Sequence, residues 1–254
     1  VQRLAVRYAK RGRLRFTSHR DFQRAFERAL RRAAVPVAYS AGFSPHPKVS
    51  YANAAPTGVA SEAEYLELGL AECGDPDAVR VALDRALPDG FDVLEVVEAP
   101  AGGLAERLQA SVWLVELDRI EAGVAAAALA AFLAADAVEV ERLTKTGTRR
   151  FDARGPVAAA FVRDVAPTER GAGGDPGGCA ILELVVRHVT PAVRPDDVLA
   201  GLRRVADLTP PRPPRVTRLA QGPLAADSVE VHDPLAPDRS GHGSAEVHPA
   251  PGRR

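Results

Sequence analysis

Residues 13–58 read RLRFTSHRDFQRAFERALRRAAVPVAYSAGFSPHPKVSYANAAPTG. They join a short strand, an amphipathic helix and a proline-locked loop. Ser18 is a favourable N-cap, and Asp21, three residues on, can reach back to the free amides of the first turn. Phe22, Ala25, Phe26, Ala29, Leu30 and Ala33 then recur at helical spacing and make one apolar face. The opposite face carries Arg20, Arg24, Arg28, Arg31 and Arg32, opposed only by Glu27. Like charges four apart repel by about 0.2–0.5 kcal/mol per pair, a cost that an anionic partner would reverse. Two readings stay open: a solvated arginine face, or a phosphate-binding one.

Val35 to Tyr39 reads as extended. In the following Gly42-Phe43-Ser44-Pro45-His46-Pro47-Lys48, prolines on both sides of His46 restrict its backbone. A histidine and a lysine on a stiff loop suit phosphate binding or proton transfer, and equally a rigid connection in which His46 bonds locally.

Outward from this stretch the element order can be followed. Leu4, Val6 and Tyr8 alternate as in a half-buried strand, Lys10 to Arg13 form a basic turn, and Leu14 to Phe16 resume the extended pattern. Val49 to Ala52 and Glu64 to Leu70 are strands, Pro76 to Leu87 a helix with proline in its first turn, and Phe91 to Val97 a strand. The order β-α-β-β-α-β is the ferredoxin-like pattern. Pro100 to Gly103 read as a loop, and residues 101–107 as a linker. The order then recurs: strands at Val112–Leu117, Val138–Leu143, Ile181–Val189 and Arg215–Leu219, helices at Gly123–Ala135 and Pro195–Ala206. A basic turn covers Lys145 to Arg150, residues 151–165 are ambiguous, and 167–178 read as loop. The expected fold is α+β: two tandem ferredoxin-like domains, residues 1–100 and 108–221. Residues 222–254, rich in Pro, Gly, Ser, Asp and His, are expected to form a disordered tail.

Formal net charge is zero over 254 residues, but it is unevenly spread. Residues 1–60 hold 12 Lys or Arg against 2 Asp or Glu, and residues 61–110 hold 3 against 12. A basic lobe suggests a polyanion; the acidic lobe could neutralise it across the fold. The two cysteines, Cys73 and Cys179, belong to no CxxC or Cys/His cluster, which argues against a zinc or iron–sulfur site. No metal or cofactor is expected. No segment has about 18 consecutive apolar residues, so a soluble, cytoplasmic protein is expected.

The blocks RLRFTSHRD, ALRRA, AYSAGFSPHPK and GVASEAEYLELGL within residues 13–70, with KTGTRRFDARGPV further on, resemble the bacterial radical SAM-linked proteins, a family without an established activity. Some members are fused to, or encoded beside, a cobalamin-type radical SAM protein; standalone members are often encoded near a ribonuclease E/G gene. The resemblance implies work in RNA processing or modification with a radical SAM or ribonuclease partner. This chain lacks the three-cysteine cluster of a radical SAM enzyme, so it cannot supply that chemistry alone.

Three functions follow. An RNA-binding module would contact phosphates through Arg20, Arg24, Arg28, Arg31, Arg32, His46 and Lys48, extended by Lys145, Arg149 and Arg150, with Phe43 or Tyr51 stacking on a base unless core-bound. A protein adaptor without RNA contact would dock through Glu62, Glu64 and Glu67. Tandem ferredoxin-like domains are also similar in architecture to CRISPR repeat-processing endoribonucleases. By that analogy His19 or His46 would be the general base of a metal-independent cleavage.

Overall fold

The first strand, β1 (Gln2–Lys10), buries Leu4, Val6 and Tyr8, the alternate residues that strand pleating sends to one face. Against them lies the apolar stripe of α1 (His19–Arg32), with Phe22, Phe26, Ala29 and Leu30 buried and the Tyr8 ring stacked 4.4 Å from Phe22. The computed structural model describes residues 2–100, 102–144, 147–163, 178–225 and 229–240; Lys145 and nearly all of the expected 167–178 loop lie outside them.

Between β1 and α1, residues 13–16 are not extended. Gly12, at φ +54°, opens a 3-10 turn over Gly12–Phe16 closed by Leu14 N–H to Arg11 O and Thr17 N–H to Leu14 O. The chain continues through β2 (Val49–Ala52), β3 (Ala60–Leu70), α2 (Pro76–Ala86), β4 (Val93–Glu98), α3 (Leu104–Arg107) and β5 (Ala110–Asp118). Then come α4 (Ala122–Ala134), β6 (Glu139–Thr144), β7 (Gly147–Asp152), β8 (Val157–Arg163), β9 (Cys179–Arg187), α5 (Pro195–Ala206), β10 (Arg215–Gly222) and α6 (Ala236–Ser240).

The protein is a mixed α+β fold with a mostly antiparallel sheet and six α-helices among the described residues. Eight strands form one sheet in the order β4-β1-β3-β10-β5-β9-β8, with β2 also on β3; β6 and β7 pair as a separate hairpin. The outer edge of β3 is divided. Its residues 65–68 pair with β2, while Ala60 and Ser61 run parallel to Thr217 and Arg218 of β10. This short parallel contact makes the two halves one sheet.

The two larger cores contain the helices of the two halves. One gathers β1, β3 and β4 with α1 and α2; the other gathers β5, β9 and β8 with α4 and α5. The helices α4 and α5 approach so closely that a Cβ added at Gly201 would come within 2.6 Å of the Phe132 ring.

A third, smaller core changes two expectations. Residues 102–107 are not a plain linker: α3 buries Leu104 completely, beside Ala63, Tyr65 and Leu108. Nor are 222–225 and 229–240 loose. Leu235 fills that core, Arg239 grips Glu95 and, at 2.6 Å, Asp233, and Arg107 holds Asp238 at 2.7 Å. Composition missed this because one leucine and two arginine clasps suffice to dock a short segment. Residues 241–254 lie outside the described residues. Among the described residues no helix is long and apolar enough to cross a membrane.

Candidate functional site

Helix α1 begins as its sequence dictates. The Ser18 hydroxyl accepts the Asp21 N–H at 3.2 Å and donates to the Asp21 carboxylate at 2.7 Å. At about 100° per residue, Arg20, Arg24, Arg28 and Arg31 fall within an arc of about 80°, opposite the buried stripe, and span about 16 Å. All four are exposed, as is Arg32. Arg24 stands 4.0 Å from Asp21, and Arg32 donates to the Ala86 carbonyl at 3.0 Å. Among the described residues Arg20, Arg28 and Arg31 have no ion-pair partner. No carboxylate of the acidic lobe forms an ion pair with this stripe among the described residues, and several are engaged elsewhere.

Glu62 and Asp92 share Arg11. Glu64 is buried at 2% exposure against Arg218. Glu67 is half-buried, its Oε1 sealed from solvent beside Arg3. The expected docking surface of Glu62, Glu64 and Glu67 is thus corrected at Glu64, a carboxylate that works inside the protein. Alternation had placed it on a strand, but charge counts carry no information about burial.

The proline-locked loop is closed by Ser40 N–H to His46 O at 2.9 Å and His46 N–H to the Ser40 hydroxyl at 3.1 Å. It holds His46 exposed and Phe43 fully exposed, and Lys48 is exposed on its descending side. Lys48 borders a cavity of about 480 Å³ with Arg3, Ser50 and Glu67. No hydrogen bond or ion pair joins His46 or Lys48 to the α1 arginines among the described residues. Tyr51 packs edge-on against Phe22 and Phe26, so of the two stacking candidates only Phe43 is free. His19 lies edge-on to Tyr51 at 5.1 Å, with Nε2 3.1 Å from Gln23, and burial lowers its pKa. Neither His19 nor His46 has a carboxylate bound to its ring among the described residues. Arg149 and Arg150 sit exposed on β7, Arg150 paired with Glu141 at 2.7 Å. Their hairpin is anchored by Arg142, which clasps Asp197 and lies over the Phe151 ring at 4.7 Å.

A second constellation lies at the junction of the halves. Arg218, 3% exposed, binds Glu64, donates to the Ser61 hydroxyl at 3.3 Å and covers the Trp113 ring at 5.2 Å. The other Glu64 oxygen accepts the Ala55 N–H at 2.9 Å. Beside them Lys10 is buried and bonds the Pro56 carbonyl at 3.3 Å, and burial lowers the pKa of its amine. The Tyr8 hydroxyl is pushed up by burial and by the Glu64 charge.

Over this junction opens a groove of about 490 Å³, lined by Asn53, Trp113, Arg187, His188, Thr190, Arg194 and Arg218 among others. His188 forms part of its wall. Its Nδ1 lies 2.6 Å from the Leu108 carbonyl, which can only accept, so Nδ1 carries the proton. Nε2 then accepts from the Ser111 hydroxyl at 2.7 Å. Asn53 Nδ2 stands farther, 3.2 Å from Nδ1. Burial lowers the His188 pKa, which keeps the ring neutral. Ser111 beside a histidine oriented by an acceptor has the form of an activated nucleophile. Ser111 is completely buried, however, so no substrate reaches it and the pair serves to hold the β9–α5 connection.

Local sequence gave no sign of this groove, whose residues come from four distant segments. The sole tryptophan and the only histidine between residues 47 and 231 were the available signals. Among the described residues no group of three or more His, Cys, Asp or Glu is placed to hold a metal ion.

Residues 3–195 match a family model described as an uncharacterised protein conserved in bacteria. No curated protein matches the chain.

Proposed function

We propose that this chain, which belongs to the bacterial DUF2344 family, binds RNA through the arginine stripe of α1 and acts as an accessory module in RNA processing or modification. One observation carries the reading: four exposed arginines share one helix face with no acidic stripe to satisfy them. Surface arginines so arranged repel one another, and a phosphate backbone turns that repulsion into attraction while releasing counterions. We read each half as ferredoxin-like. The strand orders β4-β1-β3-β2 and β10-β5-β9-β8, with β6–β7 inserted in the second half, support that reading. A radical SAM protein or a ribonuclease as the working partner rests on the family resemblance. The exposed Phe43 loop favours a protein contact as a second reading, which needs no RNA.

The test is filter binding of a labelled single-stranded RNA 20-mer between 50 and 200 mM KCl by the intact chain and by Arg24→Glu/Arg28→Glu/Arg31→Glu. If three phosphates are engaged, log K falls against log salt with a slope of about −2. The triple variant should lose at least tenfold in affinity. Affinity independent of salt, or unchanged in the variant, removes α1 as the binding face.

A further inference from the structure

We propose that the groove between the halves is a second anion site, one that takes the phosphate of a nucleotide unit between Arg187 and Arg194. The inference deepens the RNA reading without depending on α1.

Of the residues lining the groove, three are arginines and none is a carboxylate. Their charges are not equivalent. Arg218, in the floor, is already balanced by Glu64 and is buried with it. Arg187 and Arg194 are exposed, and among the described residues neither has an ion-pair partner. The nearby Asp197 does not cancel the Arg194 guanidinium: it accepts the Arg194 backbone N–H at 2.7 Å and is clasped by Arg142. The groove therefore presents two uncompensated guanidinium groups over a floor that sums to neutral.

Guanidinium forks fit phosphate oxygens in paired hydrogen bonds. The surroundings add neutral polar groups: the Asn53 amide, held by a residue at φ +45°, and Thr190. His188 adds no charge while burial holds it neutral, and both its nitrogens are occupied. The site is built to bind and lacks a free base. Its volume of about 490 Å³ exceeds the need of a bare phosphate and falls within the range of small-ligand sites, so a sugar and base fit with the phosphate.

A nucleotide unit has two sources, a free mononucleotide or a residue of an RNA strand, and the experiment separates them. Trp113 is the only tryptophan in the chain and lines the groove, so its fluorescence reports occupancy directly. Inorganic phosphate, 5′-AMP and a 5′-phosphorylated RNA tetramer are titrated at 20 mM KCl. Equilibrium dialysis of radiolabelled 5′-AMP and of the tetramer measures binding whether or not the emission changes. We expect saturable binding of 5′-AMP or of the tetramer, at least tenfold weaker in Arg187→Glu/Arg194→Glu. In Arg187→Gln/Arg194→Gln, where both charges are removed without reversal, the loss should be smaller but still measurable. Both residues are exposed, and circular dichroism checks that the fold is intact. Loss confined to 5′-AMP identifies a free-nucleotide site, and loss confined to the tetramer a strand site. Binding of neither, or binding unchanged in both variants, overturns the proposal. The α1 triple variant keeps the failures apart: if it retains 20-mer affinity the α1 reading falls, while dialysis still decides the groove.

Discussion

Glu64→Gln should destabilise the protein by about 3 kcal/mol. The substitution is nearly isosteric. It keeps one carbonyl oxygen, which can face either the Ala55 N–H or the Arg218 guanidinium; it removes the negative charge and sets an amide NH2, a donor, against the other of those two donors. Arg218 is then a cation at 3% exposure whose remaining partners are a hydroxyl and an indole face. A cation over a desolvated ring gains about 2 kcal/mol, whereas breaking a buried ion pair by removing one member costs about 3–5 kcal/mol. The unchanged side-chain shape and the retained Arg218–Ser61 hydrogen bond place the expected loss at the low end. For a chain of this size that lowers Tm by about 6–12 °C. The assay is urea unfolding followed by the fluorescence of Trp113, whose ring lies 5.2 Å from the Arg218 guanidinium carbon, with far-ultraviolet circular dichroism as the global probe. The loss should persist between 50 and 500 mM KCl, because screening acts weakly on buried charge. The double variant Glu64→Leu/Arg218→Met should recover most of it, since an apolar pair leaves no charge unpaired. A cost under about 1 kcal/mol for Glu64→Gln would refute the reasoning. So would a double variant as unstable as the two single changes summed.

Acidification should weaken the fold through His188, whose pKa is depressed by burial. Below pH 6.5 the unfolded chain takes up a proton that the folded chain refuses, so stability falls as pH drops from the unfolded value through the folded one; urea midpoints between pH 7.5 and 5 should show a shallower loss in His188→Gln. Leu235→Ala should cost about 2–5 kcal/mol, because Leu235 is completely enclosed in the third core; a denaturation midpoint unmoved by the change would show that residues 229–240 do not dock in solution.

Sequence carries different amounts of information about these parts for a physical reason. The start of α1 at Ser18 and Asp21 and its buried stripe are set by contacts within a few turns, and periodicity reveals them. The same holds for α5, whose Pro195–Ala206 span carries proline and two acids in its first turn. The strand β8, VAAAFVR, is ambiguous in sequence because its three alanines favour helix while its valines and phenylalanine favour strand. The start of β7 reads as a turn in sequence because Thr148, Arg149 and Arg150 are polar and show no alternation with apolar residues; in the fold they are exposed. The arginine stripe is readable because it is local. The groove is not, because Asn53, Trp113, His188 and Arg218 meet only after β10 has joined β3. The reading of Glu64 as surface failed for the same reason, its partner being 154 residues away.

That separation has a consequence for the chain as it is made. At about 5–20 residues per second, the ribosome needs about 8–30 s to proceed from Glu64 to Arg218. Throughout that interval the first half can fold, but the Ala60–Ser61 end of β3 has no strand on the side that β10 will take, and the Glu64 carboxylate lacks its Arg218 partner. A bare strand end is a template for pairing with another chain. Until Arg218 arrives, each nascent molecule presents to its neighbours on the same messenger the edge that the finished protein keeps for itself.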